Sequence, residues 1–180
     1  MNEKFRKIVL GGGCFWCLDP IYKNLTGVED VVVGYAGGAV PSPTYEQVCT
    51  GRTGHAEVVE VTYDPEMISL NGLLNVFFQV HDPTTLNRQG ADVGTQYRSI
   101  ILVKDEAEKE QVEEIVEKID QSDLWRSKIV TQIEILSEFY PAEDYHQDYY
   151  EKNPWAGYCQ VVINPKLKKF KKKFASQLKQ

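Results

Sequence analysis

No apolar run in this chain of 180 residues approaches the roughly 20 residues that a membrane-spanning helix needs. Within the first ten residues, the apolar stretch at positions 8–10 is too short for the core of a secretory signal. The sequence contains no internal repeat, and 42% of its residues are hydrophobic, which excludes a disordered chain. We therefore expect a cytoplasmic protein with no membrane partner, folded as a single domain over residues 1–180.

Cysteine is scarce as well, with Cys14, Cys17, Cys49 and Cys159 as the complete set. Four cysteines in a cytosolic chain do not indicate a disulfide framework. Cys14 and Cys17 form a C-x-x-C pair, a pattern that fits either a redox dithiol or half of a zinc site. Neither Cys49 nor Cys159 has a Cys or His partner two to four residues away, so the pattern predicts no metal.

Acidic residues are absent after Pro165, where seven lysines occur. The chain has a net charge of −6, but residues 1–164 hold 13 basic and 26 acidic side chains, a net charge of −13. Apolar residues recur at helical spacing among the lysines, at Leu167, Phe170, Phe174 and Leu178. This pattern predicts a basic helix over 165–180 that packs on the acidic body. A basic tail is also typical of nucleic-acid binding, but we favour the packed helix and expect no nucleic-acid partner.

Hydrophobic periodicity predicts five strands and five helices. The strands are expected at residues 7–10, 30–35, 56–63, 96–103 and 129–135. The helices are expected at residues 14–26, 69–81, 140–152 and 165–180, with another that opens at Asp105. Two long polar loops cover residues 39–54 and 82–95, and residues 153–162 read as irregular or as a short strand. The order strand, helix, strand, strand, helix, strand predicts an α+β fold with a ferredoxin-like split βαβ core, a mixed sheet, long loops and extra C-terminal helices.

Cys14 is the strongest candidate for chemistry, because it follows three glycines at a predicted strand-to-helix junction. The partial positive charge of a helix N-terminus favours thiolate over thiol, which predicts a nucleophile. Cys17 would lie on the same helical turn, within reach of a disulfide. Phe15 and Trp16 fit two interpretations, as core residues or as an apolar rim that holds a small alkyl group.

Polar candidates come from the edges of the loops. Glu57 lies at the start of a valine-rich strand, where burial would favour its protonated form, and a neutral carboxyl can donate a proton to an oxygen. An exposed strand-end glutamate is the alternative. Tyr45, Asp92 and Tyr97 lie in or beside the long loops, and phenols can donate hydrogen bonds to a substrate oxygen. Each tyrosine alone is also typical of packing.

Six segments together resemble the peptide methionine sulfoxide reductase A family, over about residues 7–160. They are residues 12–16 (GGCFW), 34–38 (GYAGG), 44–46 (TYE), 53–57 (TGHAE), 92–99 (DVGTQYRS) and 146–147 (HQ). The resemblance implies a thiol-dependent reductase of methionine sulfoxide, free or in proteins, for the S epimer at sulfur. It implies that neither a metal nor an organic cofactor is needed.

The resemblance also implies roles for the candidate residues. Cys14 would attack the sulfoxide sulfur, and Glu57 would protonate the oxygen. Hydrogen bonds from two phenols would help, within a polar network that includes an aspartate, and three further residues would bind the substrate. The two phenols are Tyr45 and Tyr97, and the aspartate is Asp92. The residues that would bind the substrate are Phe15, Trp16 and His146.

The cycle would continue through a sulfenic acid on Cys14, a disulfide, and its reduction by a thioredoxin-like dithiol. The resemblance implies Cys159, in residues 153–159 (NPWAGYC), as the resolving thiol. Position 17 is Cys where many family members have Gly, so Cys17 remains an alternative resolving thiol or a relay. Cys49 is interpreted as a packing residue. Two other hypotheses stay open: a general thiol-disulfide oxidoreductase that uses Cys14 and Cys17, and a non-enzymatic module whose lysine tail binds nucleic acid.

Overall fold

Apolar strands build a six-stranded sheet at the centre of the computed structural model, which describes residues 4–180. The strands are β1 (Arg6–Gly11), β2 (Val28–Ala36), β3 (Ala56–Tyr63), β4 (Arg88–Gln89), β5 (Asp92–Val93), β6 (Ile100–Val103), β7 (Gln132–Ile135) and β8 (Phe139–Pro141). The sheet order is β7-β6-β1-β3-β2-β8, while β4 and β5 form a separate hairpin. All neighbours in the sheet pair antiparallel except β6 and β7, which pair in parallel. The prediction of an α+β fold with a mixed sheet is confirmed.

Six α-helices accompany this sheet within residues 4–180. They are α1 (Phe15–Lys23), α2 (Tyr45–Cys49), α3 (Leu70–Val80), α4 (Glu106–Gln121), α5 (Tyr149–Lys152) and α6 (Asn164–Lys173). The inner strands β6, β1, β3 and β2, together with α1 and α3, follow the predicted ferredoxin-like order. No helix within residues 4–180 is both long enough and apolar enough to cross a membrane.

The pairing registers place the ends of four neighbouring strands at the same end of the sheet, which is called the sheet edge below. Gly11 at the end of β1 lies opposite Ile100 at the start of β6. Tyr35 near the end of β2 lies opposite Glu57 at the start of β3. The loops that leave these strand ends therefore converge, and this edge carries the candidate site.

Helix starts follow their capping residues. The Ser69 hydroxyl accepts a hydrogen bond from the Gly72 amide at 3.0 Å and opens α3. Asp105 caps α4 by accepting from the Glu108 amide at 2.8 Å, as the spacing of these two acids predicted. α3 buries Leu73, Phe77 and other apolar residues in the main core.

The two long loops contain more structure than predicted. Residues 39–54 include α2, which begins with a reciprocal capping box between Thr44 and Gln47. Residues 82–95 include the β4–β5 hairpin. The strand predicted over 96–103 is wrong in its first half, because a 3₁₀ turn occupies Thr95–Tyr97 and β6 begins only at Ile100. Elements of two to five residues are too short to produce a visible hydrophobic period.

The C-terminal third differs most from the sequence expectation. The helix predicted over 140–152 is wrong: β8 and a 3₁₀ turn at Asp144–His146 precede the four-residue α5. Asp148 has a φ of 56°, a left-handed conformation that interrupts any continuous helix there. A π-helical turn at Cys159–Ile163 then leads into α6.

The basic α6 is shorter than the predicted 165–180 helix, and its apolar residues face inward. Leu167, Phe170 and Phe174 are buried, and α6 packs against α1. After α6 the chain forms a short 3₁₀ turn at Ala175–Gln177, and Leu178 forms an antiparallel bridge with Leu25.

Candidate active site

A glycine turn delivers Cys14 from the end of β1 to the start of α1. Gly13 has a φ of +94°, which favours glycine, and a Cβ at this position would lie 2.7 Å from Gln89 Cγ. A Cβ at Gly12 would lie 3.0 Å from the His81 ring. Cys14 is the N-cap of α1 and is only 8% exposed. The glycines therefore hold this thiol in a tightly packed position at the sheet edge.

Glu57 approaches Cys14 from the start of β3. The residue is 1% exposed, and its Oε1 accepts a hydrogen bond from the Phe15 amide at 3.3 Å. Its Oε2 is buried without a hydrogen-bond partner. Burial raises the pKa of Glu57 to about 8, so the carboxyl is neutral at pH 7 and holds a proton that it can donate.

The Cys14 thiol does not follow the electrostatic expectation from the sequence. Burial raises its pKa well above the usual range, and the Glu57 and Cys17 charges add to this effect. The Trp16 amide in the first turn of α1 lowers this pKa, as expected of a helix N-terminus, but burial outweighs it, so the expectation of a resting thiolate is wrong. A helix terminus supplies only a partial charge, whereas complete burial removes the hydration of a full charge. Cys14 rests as a thiol beside a neutral acid.

Two phenols lie around the same carboxyl. Tyr45 begins α2, Tyr97 ends the turn before β6, and both are half-buried. Burial raises the pKa of each phenol; a hydrogen bond with Cys49 raises that of Tyr45 further, and the nearby Glu57 carboxyl adds to the effect on both phenols. Both hydroxyls therefore remain protonated and can donate hydrogen bonds to an oxygen.

Asp92 belongs to a hydrogen-bonded chain that sequence reasoning did not identify. The Tyr158 hydroxyl donates to Asp92 Oδ2 at 2.7 Å. The same hydroxyl lies 3.6 Å from Cys17 Sγ. Tyr158 stands next to Cys159, and this adjacency was the one signal in the sequence that could have drawn attention to it.

Trp16, His146 and Tyr149 form an aromatic wall on another side. The Trp16 indole Nε1–H donates to His146 Nδ1 at 3.1 Å. Since an indole only donates, Nδ1 must be unprotonated and the neutral ring carries its proton on Nε2, which is buried without a partner. The Tyr149 ring stacks on Trp16 with centroids 3.7 Å apart and planes 7° apart.

Phe15 and Trp16 differ in how deeply they are buried, which bears on their two interpretations. Phe15 is completely buried and contacts the Tyr35 and His146 rings, with centroids 5.8 and 5.1 Å away. Trp16 is half-buried, and its ring contacts those of His146, Tyr149 and Tyr158. Phe15 is therefore a core residue, while Trp16 is the partly exposed aromatic residue beside Cys14 in the chain.

Glu143 is a second residue that the sequence did not indicate. Its Oε1 accepts from the Tyr35 hydroxyl at 2.9 Å, and its Oε2 accepts from the Tyr45 amide at 3.1 Å. The Tyr145 hydroxyl donates to Oε2 at 3.4 Å. One carboxylate thus ties the start of α2, and with it Tyr45, to the sheet.

The four cysteines are all free thiols. Cys17 and Cys159 are buried, the latter completely, in the turn before α6. Cys49 is exposed, so the interpretation of Cys49 as a packing residue is wrong. It ends the short α2, where solvent rather than core surrounds one side of the helix.

Within residues 4–180, one cluster has the side chains of a metal site. It consists of Asp19, Asp148 and Glu151. The Lys23 ammonium already forms ion pairs with Asp19, at 2.8 Å, and with Asp148. Because this ammonium pairs with two of the three carboxylates, the cluster is explained as an ion-pair network that ties α1 to the segment before α5.

Together these groups can reduce an oxidised substrate. A buried thiol lies near a neutral carboxyl, two protonated phenols are close enough to feel the charge of that carboxyl, and aromatic rings follow the thiol in α1. The set can deliver a nucleophile to one atom and a proton to an oxygen bound to that atom.

Known proteins are similar to this chain in sequence and in fold. The sequence profile of the family described as peptide methionine sulfoxide reductase matches residues 6–178. Peptide methionine sulfoxide reductase MsrA of Nautilia profundicola is 57% identical over 166 residues, which cover 92% of this chain and 94% of that relative. The crystal structure of reduced Mxr1 from Saccharomyces cerevisiae is similar with a TM-score of 0.82 and 42% identity, over 88% of this chain and 91% of that chain. The structure of Mxr1 in complex with Trx2 is similar with a TM-score of 0.59 and 32% identity, over 79% of this chain and 84% of that chain.

Proposed function

This chain belongs to the peptide methionine sulfoxide reductase family, and we propose that it reduces the S epimer of methionine sulfoxide through a sulfenic acid on Cys14. The single observation that supports this chemistry most is the buried, neutral Glu57 beside the Cys14 thiol. A sulfoxide oxygen is a poor leaving group until it is protonated. A proton donor next to a sulfur nucleophile meets that requirement.

In the first step, Cys14 sulfur attacks the sulfoxide sulfur while Glu57 protonates the oxygen. Tyr45 and Tyr97 donate hydrogen bonds to that oxygen. A bond forms between the two sulfurs, the sulfur–oxygen bond of the substrate breaks, and the oxygen leaves as water with one proton from Glu57 and one from the thiol. Water then attacks Cys14 sulfur, the sulfur–sulfur bond breaks and the thioether leaves, so that a sulfenic acid remains on Cys14 and one proton of the water returns to Glu57. The net change converts thiol and sulfoxide into sulfenic acid and thioether.

Epimer selection follows from three fixed directions at the substrate sulfur. The oxygen faces Glu57 and the phenols, the methyl group contacts Trp16 and Phe15, and Cys14 attacks from the side opposite the oxygen. Only one configuration at sulfur then directs the rest of the substrate toward solvent. His146, held by Trp16, completes the wall that receives the methyl group.

Recycling uses a second thiol. We propose that Cys159 attacks the sulfenic acid, which forms the Cys14–Cys159 disulfide and releases water. A thioredoxin-like dithiol then reduces this disulfide and is itself oxidised, a partner supported by the structure of Mxr1 in complex with Trx2. Because Cys159 is completely buried, the turn at Cys159–Ile163 must open first. A cycle that forms a disulfide at each turnover needs a reducing compartment, so we assign the protein to the cytoplasm.

Cys17 is the alternative resolving thiol. Its amide donates to the Cys14 carbonyl at 3.1 Å, so both residues lie in the first turn of α1. The same pair would carry a general thiol-disulfide oxidoreductase activity. That activity leaves Glu57, Tyr45 and Tyr97 without a task, and we expect reduction of insulin disulfides to be much slower than reduction of sulfoxide.

The proposal is tested with each epimer of a methionine sulfoxide peptide and dithiothreitol as reductant. We expect turnover of the S epimer alone, and its loss in Cys14→Ser. Cys49→Ser is the matched control, because Cys49 is the exposed cysteine, and it should retain activity. Turnover by Cys14→Ser, or equal turnover of both epimers, contradicts the proposal.

A further inference from the structure

α6 carries a strongly charged surface that takes no part in the reaction described above. Six of its residues are lysines: Lys166, Lys168, Lys169, Lys171, Lys172 and Lys173. We call this set the lysine face; all its members are exposed except the half-buried Lys166. Within residues 4–180, ion pairs involve Lys4, Lys7 and Lys23, and none involves the lysine face. Its charge is therefore free to meet a ligand.

The other side of α6 is already occupied by the protein itself. Leu167, Phe170 and Phe174 are 5%, 2% and 4% exposed. An amphipathic helix binds a membrane by inserting its apolar side, and here that side is packed in the core. The lysine face therefore offers charge without an inserting surface, which fits a hydrophilic anion.

The lysine face begins next to the candidate active site. α6 packs against α1, the helix that starts at the nucleophile. The Lys166 ammonium opposes the effect of burial on the pKa of Cys17, and Cys17 lies 3.6 Å from the Tyr158 hydroxyl. Since α6 has ten residues, it leads away from this point for about 15 Å.

A cavity of about 210 Å³ lies along the lysine face. Three lysines line it, at positions 166, 169 and 173, against a single carboxylate, that of Asp82, and the remaining lining includes the apolar surfaces of Trp125, Phe170 and Phe174. Gln89 also lines the cavity, and the same side chain packs against Gly13, the residue before Cys14. The Gln89 side chain therefore lies between the cavity and the residue that precedes Cys14.

We propose that the lysine face binds acidic side chains near methionine sulfoxide in a peptide, so that the enzyme prefers oxidised methionines in acidic segments. The inference rests on the proposed function and names the substrate class. About four residues of an extended peptide span the length of α6. A sulfoxide at Cys14 would thus place flanking residues beside Lys166, Lys169 and Lys173.

The charge of the remaining chain favours a short acidic segment over a long polyanion. Residues 1–164 carry a net charge of −13, which repels a nucleic acid wherever it extends beyond α6. A peptide with a few acidic residues contacts the lysine face alone. Nucleic acid is therefore an outcome of the test and not the proposed ligand.

The test compares peptides that differ only in charge. Each peptide contains one methionine sulfoxide, with three Glu or three Gln on its N-terminal side or on its C-terminal side, and dithiothreitol is the reductant at low salt. We expect kcat/KM of the unmodified enzyme to be about fivefold higher for at least one Glu peptide than for its Gln counterpart. The preference should fade at about 1 M salt, where charges are screened within about 3 Å.

Lys169→Glu should remove the preference and leave kcat/KM for the Gln peptides unchanged. Lys104→Glu is the matched control, because Lys104 is an exposed lysine just after β6, at the sheet end opposite Cys14, and the change in charge is the same. It should keep the preference. Far-ultraviolet circular dichroism checks that α6 remains folded.

Other results overturn the inference in distinguishable ways. If the unmodified enzyme reduces no Gln peptide, the proposed function itself fails. If it reduces Glu and Gln peptides equally, or if Lys169→Glu keeps the preference, only the acidic-substrate inference fails. If Lys169→Glu alters the KM for thioredoxin but no peptide rate with dithiothreitol, the lysine face binds the reductant. If a short DNA duplex binds more tightly than the Glu peptide and competes with it, the ligand is nucleic acid.

Discussion

The strand ends that carry Cys14 and Glu57 differ physically from residues 139–163, which complete the same site. The strand ends belong to β1 and β3, whose neighbours pair on both sides and whose apolar residues are almost completely buried. Residues 139–163 contain only β8, α5 and short turns. Side-chain contacts hold much of this segment, such as Tyr158 to Asp92 and Trp16 to His146.

This difference matches the two halves of the proposed cycle. Oxygen transfer needs a fixed distance between a nucleophile and an acid, and a paired sheet supplies it. Recycling needs a buried thiol, Cys159, to reach Cys14, and a segment with few backbone pairs opens at lower free energy. We infer that the sheet half sets the chemistry and that residues 139–163 set the exchange of electrons.

The largest expected effect comes from removing the acid on the sheet side. Glu57→Gln keeps an acceptor for the Phe15 amide but cannot protonate the sulfoxide oxygen. We expect kcat with dithiothreitol to fall by about 10²- to 10⁴-fold. Glu60→Gln, on the same strand and paired with Lys7 at the surface, is the control and should retain kcat. A comparable loss in both variants would indicate damage to β3 and not loss of an acid.

Glu57→Gln should also increase the free energy of unfolding, by an amount set by how far folding raises the pKa of Glu57. That pKa rises from 4.5 to about 8 on folding. Between these values the unfolded chain loses its proton while the folded chain keeps it, so stability falls as pH rises from 4.5 to about 8. Since Gln does not titrate, Glu57→Gln should gain about 3 kcal/mol in free energy of unfolding at pH 7.

Urea denaturation at two pH values measures this gain. It should be present at pH 7 and absent at about pH 4, where the unfolded carboxyl is also protonated. A gain that is equal at both pH values would mean that the carboxyl is charged in the folded protein.

A smaller effect should distinguish the two regions directly. Tyr158→Phe removes the hydrogen bond to Asp92, and Tyr22→Phe removes one from the Tyr22 hydroxyl to the Leu73 carbonyl in the main core. Each loss costs about 1 kcal/mol. We expect Tyr158→Phe to accelerate amide hydrogen exchange within residues 149–163 only, and Tyr22→Phe to lower the global stability. The same exchange pattern in both variants would show that the two regions unfold as one unit.

The sequence was informative wherever hydrophobic periodicity was strong. The strand at Ala56–Tyr63 matches its predicted bounds, and α3 lies within the predicted 69–81. Residues 140–152 contain enough tyrosine and acid to suggest a helix, but a left-handed Asp148 and a 3₁₀ turn interrupt them. Such interruptions are set by contacts with distant residues, like the ion pair of Asp148 with Lys23, which no local pattern reveals.

The candidate site shows the same division. Cys14 and Glu57 could be singled out because glycines and a valine-rich strand mark their positions. Glu143 and Tyr158 could not, because their partners Tyr45 and Asp92 lie 98 and 66 positions away along the chain. The Cys14 pKa was also misjudged, since burial depends on the packed fold and outweighs the local helix terminus.

One single-turnover measurement tests the separation of the two halves most directly. Cys159→Ser and Cys14→Ser are mixed with excess S-sulfoxide peptide, first without reductant and then with thioredoxin, and the methionine formed per enzyme is counted. The account predicts one equivalent from Cys159→Ser without reductant, no further turnover with thioredoxin, and none from Cys14→Ser. Sustained thioredoxin-driven turnover by Cys159→Ser would contradict it and would assign resolution to Cys17.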